Sequence, residues 1–178
     1  LSRQAKAQIP SRALKGGHWP VLWSGAGSGQ YAIEVKKSDN EVIINESVDG
    51  QRWFLPELRA GTYRLKISTE SFLPVETEFE VVDVPTLVLK GLDVSQGIIR
   101  SDRVSWEAGP ESATVYRVRV WPFFPTVEGE VREFIVGQKE WIPDLSKEGL
   151  SRVLIQALDE NSKLVAESES VLFKPTQR

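Results

Sequence analysis

The sequence predicts an all-β chain built as two tandem antiparallel β-sandwiches, and three observations support this. Apolar and polar residues alternate through short runs, such as 31–36, which places one set of side chains on a buried face and the other in water. Turns containing Gly, Asn or Asp separate these runs at strand-length intervals. A pattern of aromatic residues and prolines then recurs about 85 residues later. No window sustains the 3.6-residue apolar period of a helix.

The recurrence starts with an aromatic pair in each half of the chain. Trp23 matches Trp106 at an offset of 83 residues, and the alternating run that begins at Tyr31 matches the run that begins at Tyr116 at an offset of 85. Matches in a constant order with a small drift in spacing are typical of duplicated domains with loops of different length. Their recurrence favours packing in a core over binding at a surface.

A second match supports the duplication. The segment 50–58 resembles 137–145, and this alignment pairs Phe54 with Trp141 and predicts that both are core residues. Two sheets packed face to face would bury the inward set of each half. The expected organisation is a basic lead-in or linker over 1–17, a β-sandwich over 18–84 and a second β-sandwich over 85–178.

The stretch 58–67 carries a family resemblance. Leu58, a glycine turn at Gly61 and then Tyr63 resemble the start of strand F in fibronectin type III domains, a β-sandwich family related in architecture to immunoglobulin domains. The resemblance implies that the Tyr63 hydroxyl bonds back to upstream backbone and forms the tyrosine corner of that family. The second half departs from the pattern, because Ser151 stands where Tyr63 does in the first.

The two matched tryptophans extend the resemblance. Trp23 and Trp106 are similar to the strand B tryptophan of fibronectin type III domains, which is a core residue. The rhythm of aromatic, proline and glycine positions is also similar to sandwiches that accompany FecR or LysM domains in bacterial cell-envelope proteins. This similarity implies a periplasmic or otherwise extracytoplasmic parent protein.

Composition and charge argue against several function classes. The net charge is −3, so no global field favours nucleic acid, and no apolar run is long enough for direct membrane insertion. The chain has no cysteine, which excludes disulfides and thiolate metal sites. It begins at Leu1 and has no methionine, so a processed product or a fragment is expected. The lead-in is basic through four residues: Arg3, Lys6, Arg12 and Lys15.

The residues that could carry chemistry have simpler interpretations. His18 is the only histidine and lacks the partners that a catalytic triad or a metal site needs. The glycines of 25–29 precede a strand and lack the Lys-Ser/Thr ending of a phosphate-binding loop. Glu76, Glu78 and Glu80 share one face of a strand, where their charges discourage edge-to-edge pairing. We expect no catalytic residues, no metal and no cofactor, and hence not an enzyme.

One cluster in the second half suggests an interface. If Tyr116, Val118 and Val120 point inward, alternation turns the residues between them outward. Two phenylalanines follow in a proline-flanked turn, and the adjacent strand contributes outward leucines. Exposed aromatic and arginine side chains are typical of interaction hot spots, although the phenylalanine turn could instead fold back on the sandwich. The predicted interface consists of Arg117, Arg119, Trp121, Phe123, Phe124, Leu154 and Leu158.

The sequence therefore predicts a non-catalytic protein-interaction and spacer module of a larger protein. The expected partner is another protein or a neighbouring domain of the same parent chain. The six tryptophans leave a second hypothesis open: a module that binds cell-wall glycan or peptidoglycan through exposed aromatic rings.

Overall fold

The computed structural model describes residues 6–8, 19–24, 30–50, 52–70, 72–122, 132–144 and 149–176. The described residues form β-strands and no helix, so the predicted all-β class is confirmed. The chain divides into two compact units, of which the first ends at Asp83 and the second begins at Val84. They are called unit 1 and unit 2.

The strands of unit 1 are β1 (Lys6–Gln8), β2 (Trp19–Ser24), β3 (Gln30–Lys37), β4 (Val42–Asp49), β5 (Arg52–Leu55), β6 (Gly61–Thr69) and β7 (Phe72–Val81). They form a three-stranded sheet in the order β1-β2-β5 and a four-stranded sheet in the order β4-β3-β6-β7. Every pairing is antiparallel. With the seven strands lettered A, B, C, C′, E, F and G, the sheets are A-B-E and C′-C-F-G, which is the fibronectin type III order.

Alternation places the core of unit 1 as expected. On β3, Tyr31, Ile33 and Val35 are buried while the residues between them are partly or fully exposed. Trp23 of the three-stranded sheet is fully buried and meets Tyr31 of the four-stranded sheet edge-on, with ring centroids 5.4 Å apart and an interplanar angle of 64°. The two sheets therefore pack face to face.

The predicted tyrosine corner is present in unit 1. The Tyr63 hydroxyl donates a 2.6 Å hydrogen bond to the Arg59 carbonyl, and its ring stacks on Phe79 with centroids 5.5 Å apart. In unit 2 the Ser151 hydroxyl donates to the Gly149 carbonyl at 3.0 Å. A shorter side chain thus bonds to upstream backbone at the same point of the strand order.

The strands of unit 2 are β8 (Thr86–Leu87), β9 (Leu92–Asp93), β10 (Ile98–Ser101), β11 (Val104–Ser105), β12 (Val115–Pro122), β13 (Arg132–Val136), β14 (Glu140–Trp141), β15 (Ser151–Leu158), β16 (Leu164–Ser168) and β17 (Val171–Pro175). The larger sheet runs β13-β12-β15-β17-β10-β9, and β16 pairs with both β15 and β8. β11 and β14 form a separate pair, and Leu89 bridges Trp106 next to them.

Two strand pairs of unit 2 depart from the antiparallel arrangement. β10 pairs with β17 in parallel, and β8 pairs with β16 in parallel. The partners in each pair lie near opposite ends of the unit in sequence. No tight hairpin connects them, so nothing imposes the antiparallel arrangement that a two-residue turn would require.

The core of unit 2 repeats the aromatic pair of unit 1. Trp106 is fully buried and meets Tyr116 edge-on, with centroids 5.3 Å apart and an interplanar angle of 61°. Tyr116, Val118 and Val120 all face this core, as alternation predicts. The equivalent pairs in the two units thus have nearly the same geometry.

The alignment of Phe54 with Trp141 is wrong by one residue. Trp53 is 8% exposed and lies opposite Val21, just as Trp141 is 5% exposed and lies opposite Val104. Phe54 points the other way and is 42% exposed. The sequence alignment matched Pro56 with Pro143 and so paired Phe54 with Trp141. A one-residue shift of a strand moves every side chain to the opposite face. Strand register therefore equates Trp53 with Trp141.

Candidate functional site

The predicted interface lies on the face of β12 and β15 opposite the core of unit 2. Register aligns three polar residues across three strands of this face: Arg117 lies opposite Gln156, and Gln156 lies opposite Glu167. Arg117 Nη1 donates to Gln156 Oε1 at 3.2 Å, and Gln156 Nε2 donates to Glu167 Oε2 at 2.9 Å. All three are buried. We call this the Arg117–Gln156–Glu167 row.

The prediction that this face is exposed is wrong. Trp121 is 2% exposed, and Leu154 and Leu158 are each 3% exposed. The side chain of Arg119 is only 11% exposed and pairs with Glu133, with Nε and Oε1 2.9 Å apart. The last two predicted residues, Phe123 and Phe124, lie outside the described residues.

Alternation along β12 and β15 could not predict this burial. β12 lies on one side of β15, and β16 and β17 lie on the other. Alternation assigns side chains to two faces but does not tell whether the second face meets water. Arginine is no guide to exposure where a hydrogen-bonded row satisfies it in the interior.

The tryptophans are buried wherever the structure describes their side chains. Trp23, Trp53, Trp106, Trp121 and Trp141 are all at most 8% exposed. Among the described aromatic side chains, Phe54 alone is more than a third exposed. The abundance of tryptophan therefore reflects packing, and the outward ring that the sequence analysis assigned to the core is the one that meets solvent.

Asp93 and Arg103 are two ionisable side chains that serve local structure. Asp93 Oδ1 accepts hydrogen bonds from the Ser95 hydroxyl and backbone N–H, and these, led by the hydroxyl, lower the pKa of Asp93. Bonds from Arg103 to Asp102 and then to Glu140 raise the pKa of Arg103. These groups close turns and join strands, and they do not converge on a common point.

A metal site is not evident in the part of the chain that the structure describes. No three His, Cys, Asp or Glu side chains there are grouped closely enough to hold an ion. His18 lies outside the described residues. The described residues also contain no helix that could cross a membrane.

The acidic face of β7 is exposed as predicted. Glu76, Glu78 and Glu80 alternate along the strand and point to solvent. Arg64 of β6 lies opposite Glu78, with Nε and Oε2 3.8 Å apart. Both side chains of this pair are mostly exposed, so it contributes little to stability.

The edge strand β4 holds a carboxylate in a defined position. Trp53 of the three-stranded sheet donates its indole N–H to Glu46 Oε1 of β4 at 2.5 Å, which joins the two sheets at their edge. In unit 2, β12–β13 register places Phe134 where unit 1 has Glu46, and Phe134 packs on Trp141 with centroids 5.3 Å apart. One position thus holds a charged residue in unit 1 and a ring in unit 2.

No family model and no curated protein matches the chain. Among solved structures it is similar to fibronectin(III)-like modules of Clostridium thermocellum CbhA, with 13% identity, a TM-score of 0.35 and coverage of 98% of this chain and 94% of that one. A two-domain fibronectin type III segment of chicken tenascin gives 13% identity, a TM-score of 0.34 and coverage of 96% and 95%. Salmonella alpha-2-macroglobulin gives 15% identity and a TM-score of 0.37, over 99% of this chain and 15% of that one. The fold assignment rests on strand order and register, because overlaps this weak add nothing to it.

Proposed function

We propose that the chain is a non-catalytic interaction and spacer module of a larger protein. The proposal rests on one observation: the charged and aromatic side chains of the described residues serve the fold itself. Charged side chains pair in register along strands, as Arg64 does with Glu78 and Arg119 with Glu133. The tryptophans whose side chains the structure describes are buried. Such a chain offers sheet faces and strand edges to a partner rather than a reactive cleft.

Site-directed photo-crosslinking in cells that express the parent protein tests the interaction function. A photoreactive residue is placed in turn at exposed positions of both units, including Ser47, Glu78 and Val94. A contact surface is expected to yield one crosslinked protein from several neighbouring positions. Crosslinks that match those of a chain unfolded by substitution in its core would contradict the proposal.

We further propose that the parent protein belongs to the bacterial cell envelope, with these units outside the cytoplasm. The resemblance of the aromatic, proline and glycine rhythm to sandwiches that accompany FecR or LysM domains supports this location. Protease accessibility in intact and permeabilised cells tests it. Digestion after permeabilisation of the outer membrane alone is expected, whereas protection until the inner membrane is broken would contradict it.

A glycan-binding module is the second candidate, and Phe54 favours it. This ring is 42% exposed on β5, and flat aromatic faces stack on sugars. Titration calorimetry with peptidoglycan fragments tests the idea with the Phe54→Ala variant and Leu73→Ala as a control, since Leu73 is also exposed. Binding that only Phe54→Ala abolishes would support glycan recognition. Absence of heat with the unmodified chain would exclude this role for Phe54.

A further inference from the structure

The edges of the sheets in unit 1 are not equally protected against strand addition. β7 carries Pro74 together with Glu76, Glu78 and Glu80, and prolines and charges are the usual means of blocking an edge. β4 is eight residues long, contains no proline, and pairs only with β3 among the described strands. Its four β-branched aliphatic residues are all at least partly exposed: Val42, Ile43, Ile44 and Val48.

The free edge of β4 has a defined chemistry. Along an antiparallel edge, alternate residues direct their N–H and C=O groups away from the neighbouring strand, so an added strand would find donors and acceptors in place. Ile44, Glu46 and Val48 lie on the face that turns toward the three-stranded sheet. An incoming antiparallel strand would therefore meet an apolar residue, a carboxylate and another apolar residue in succession.

Glu46 differs from an ordinary edge charge because its position is fixed. One carboxylate oxygen accepts the hydrogen bond from the Trp53 indole, and the side chain remains exposed. The second oxygen is available to a cation without further ordering of the side chain, and such preorganisation lowers the entropic cost of binding. A charge that only prevented strand addition would need no such hydrogen bond.

The same carboxylate disfavours a second copy of this chain as the occupant. An antiparallel pair of β4 strands that places Ile44 opposite Val48 must also place Glu46 opposite its own counterpart. Like charges directly opposite each other destabilise a strand pair. The edge thus favours a different strand, with a positive residue at the position that faces Glu46.

We propose that the β4 edge of unit 1 binds an extended segment of a partner protein in which a Lys or Arg is flanked, two residues away on each side, by apolar residues. The segment adds antiparallel to β4, its cation pairs with Glu46, and its apolar residues cover Ile44 and Val48. This inference rests on the proposed interaction function and specifies the class of partner for unit 1.

NMR titration of the whole ¹⁵N-labelled chain tests the proposal. The probe is the peptide acetyl-Thr-Val-Thr-Lys-Thr-Val-Thr-amide, and its partner probe has Glu in place of Lys. The Lys peptide is expected to shift the backbone amides of β4 and the indole N–H signal of Trp53, which is assigned by its loss in the Trp53→Phe variant. The Glu peptide is expected to bind about tenfold more weakly or not at all.

Two Glu→Gln variants test which carboxylate binds the lysine of the peptide. Glu46→Gln keeps an oxygen acceptor for Trp53 but removes the charge, and it should weaken the Lys peptide about fivefold. Glu80→Gln on β7 makes the same change on the other edge and should leave the affinity unaltered. N-methylation of alternate peptide bonds in the Lys peptide should abolish binding, because it removes the donors of the strand ladder.

Several outcomes would overturn the proposal. These are shifts confined to β7, equal binding of the Lys and Glu peptides, or no shift at millimolar peptide. The last outcome would mean that Glu46 only prevents strand addition to β4. Each outcome is distinct from failure of the interaction function. Crosslinks from another surface would leave that function standing without the β4 edge, whereas crosslinking that fails everywhere would remove both.

Discussion

At the scale of single residues, burial decides which side chains the fold depends on. Trp121 illustrates this best, because alternation alone placed it outside and the structure places it at 2% exposure. A large buried ring makes many dispersion contacts, and their loss is not recovered when a cavity remains.

Replacement of Trp121 by alanine should therefore destabilise the protein rather than only weaken binding. The expected loss is about 3–5 kcal/mol in the free energy of unfolding, the range for buried aromatic residues. Urea denaturation followed by circular dichroism measures it. Val94→Ala is the control, since Val94 is 85% exposed and its loss should change stability by less than about 0.5 kcal/mol. Equal effects of the two variants would contradict the burial of Trp121.

The tyrosine corner provides a second test at this scale. Tyr63→Phe keeps the ring that stacks on Phe79 but removes the hydroxyl that donates to the Arg59 carbonyl. The expected loss is about 0.5–1.5 kcal/mol, the net contribution of a typical hydrogen bond. Thermal and urea unfolding of the variant measure it, with Ser38→Ala at an exposed turn as the control. An unchanged midpoint for Tyr63→Phe would show that water replaces the bond without cost.

At the scale of elements, cross-strand pairs explain how the two units differ. The position that faces the β5 or β14 tryptophan holds Glu46 in unit 1 and Phe134 in unit 2. A hydrogen bond closes the sandwich edge in the first case, and ring packing closes it in the second. Cross-strand pairing also forms the Arg117–Gln156–Glu167 row, because strand register places these three polar side chains next to one another.

Substitution of Phe134 should lower the free energy of unfolding more than substitution of Glu46. Phe134→Glu places a carboxylate against Trp141 and the core of unit 2, and we expect a loss of about 1–3 kcal/mol. Glu46→Gln keeps an acceptor for Trp53 and should cost less than about 1 kcal/mol. Chemical denaturation of both variants checks the order. A larger loss for Glu46→Gln would mean that the charge itself holds the edge of unit 1.

The buried row should tolerate joint replacement better than single replacement. Glu167→Ala removes the acceptor of the buried Gln156 amide, so we expect a loss of about 1–3 kcal/mol. Replacement of Arg117 by Met together with Gln156 and Glu167 by Leu should cost no more than the single replacement, because no polar group of the row then lacks its hydrogen-bond partner. Unfolding free energies of the single and triple variants test this. Losses that simply add would show that the three residues do not act as a unit.

At the scale of the whole molecule, each unit has its own core. The core cluster around Trp106 contains residues of unit 2 only, while Ile33 lies in the core of unit 1. We expect Ile33→Ala to cost about 2–5 kcal/mol and to act on unit 1. Native-state hydrogen exchange should show faster exchange on β3 and β6 with protection retained on β12 and β15. Equal loss of protection in both units would indicate a single cooperative fold.

The features that depend on local periodicity were predictable from the sequence. The inward sets that begin at Tyr31, Tyr63 and Tyr116 follow from alternation, and the corner at Tyr63 follows from family resemblance. Three features did not follow: the burial of Trp121, the outward direction of Phe54, and the parallel pairs of unit 2. The direction of Phe54 depends on strand register, and the parallel pairs depend on strand order. The burial of Trp121 depends on whether the second face of its sheet meets water, which alternation does not determine.

The parallel pairs of unit 2 have a mechanical consequence. β10 enters its pair from the side of the chain that leads into unit 2, and β17 leaves it toward the end of the described residues. Tension applied along the polypeptide would draw the two strands lengthwise in opposite directions, so their hydrogen bonds would share the load together instead of opening one after another. A module that separates other domains under pull would gain resistance to stretching from this arrangement, even with modest thermodynamic stability.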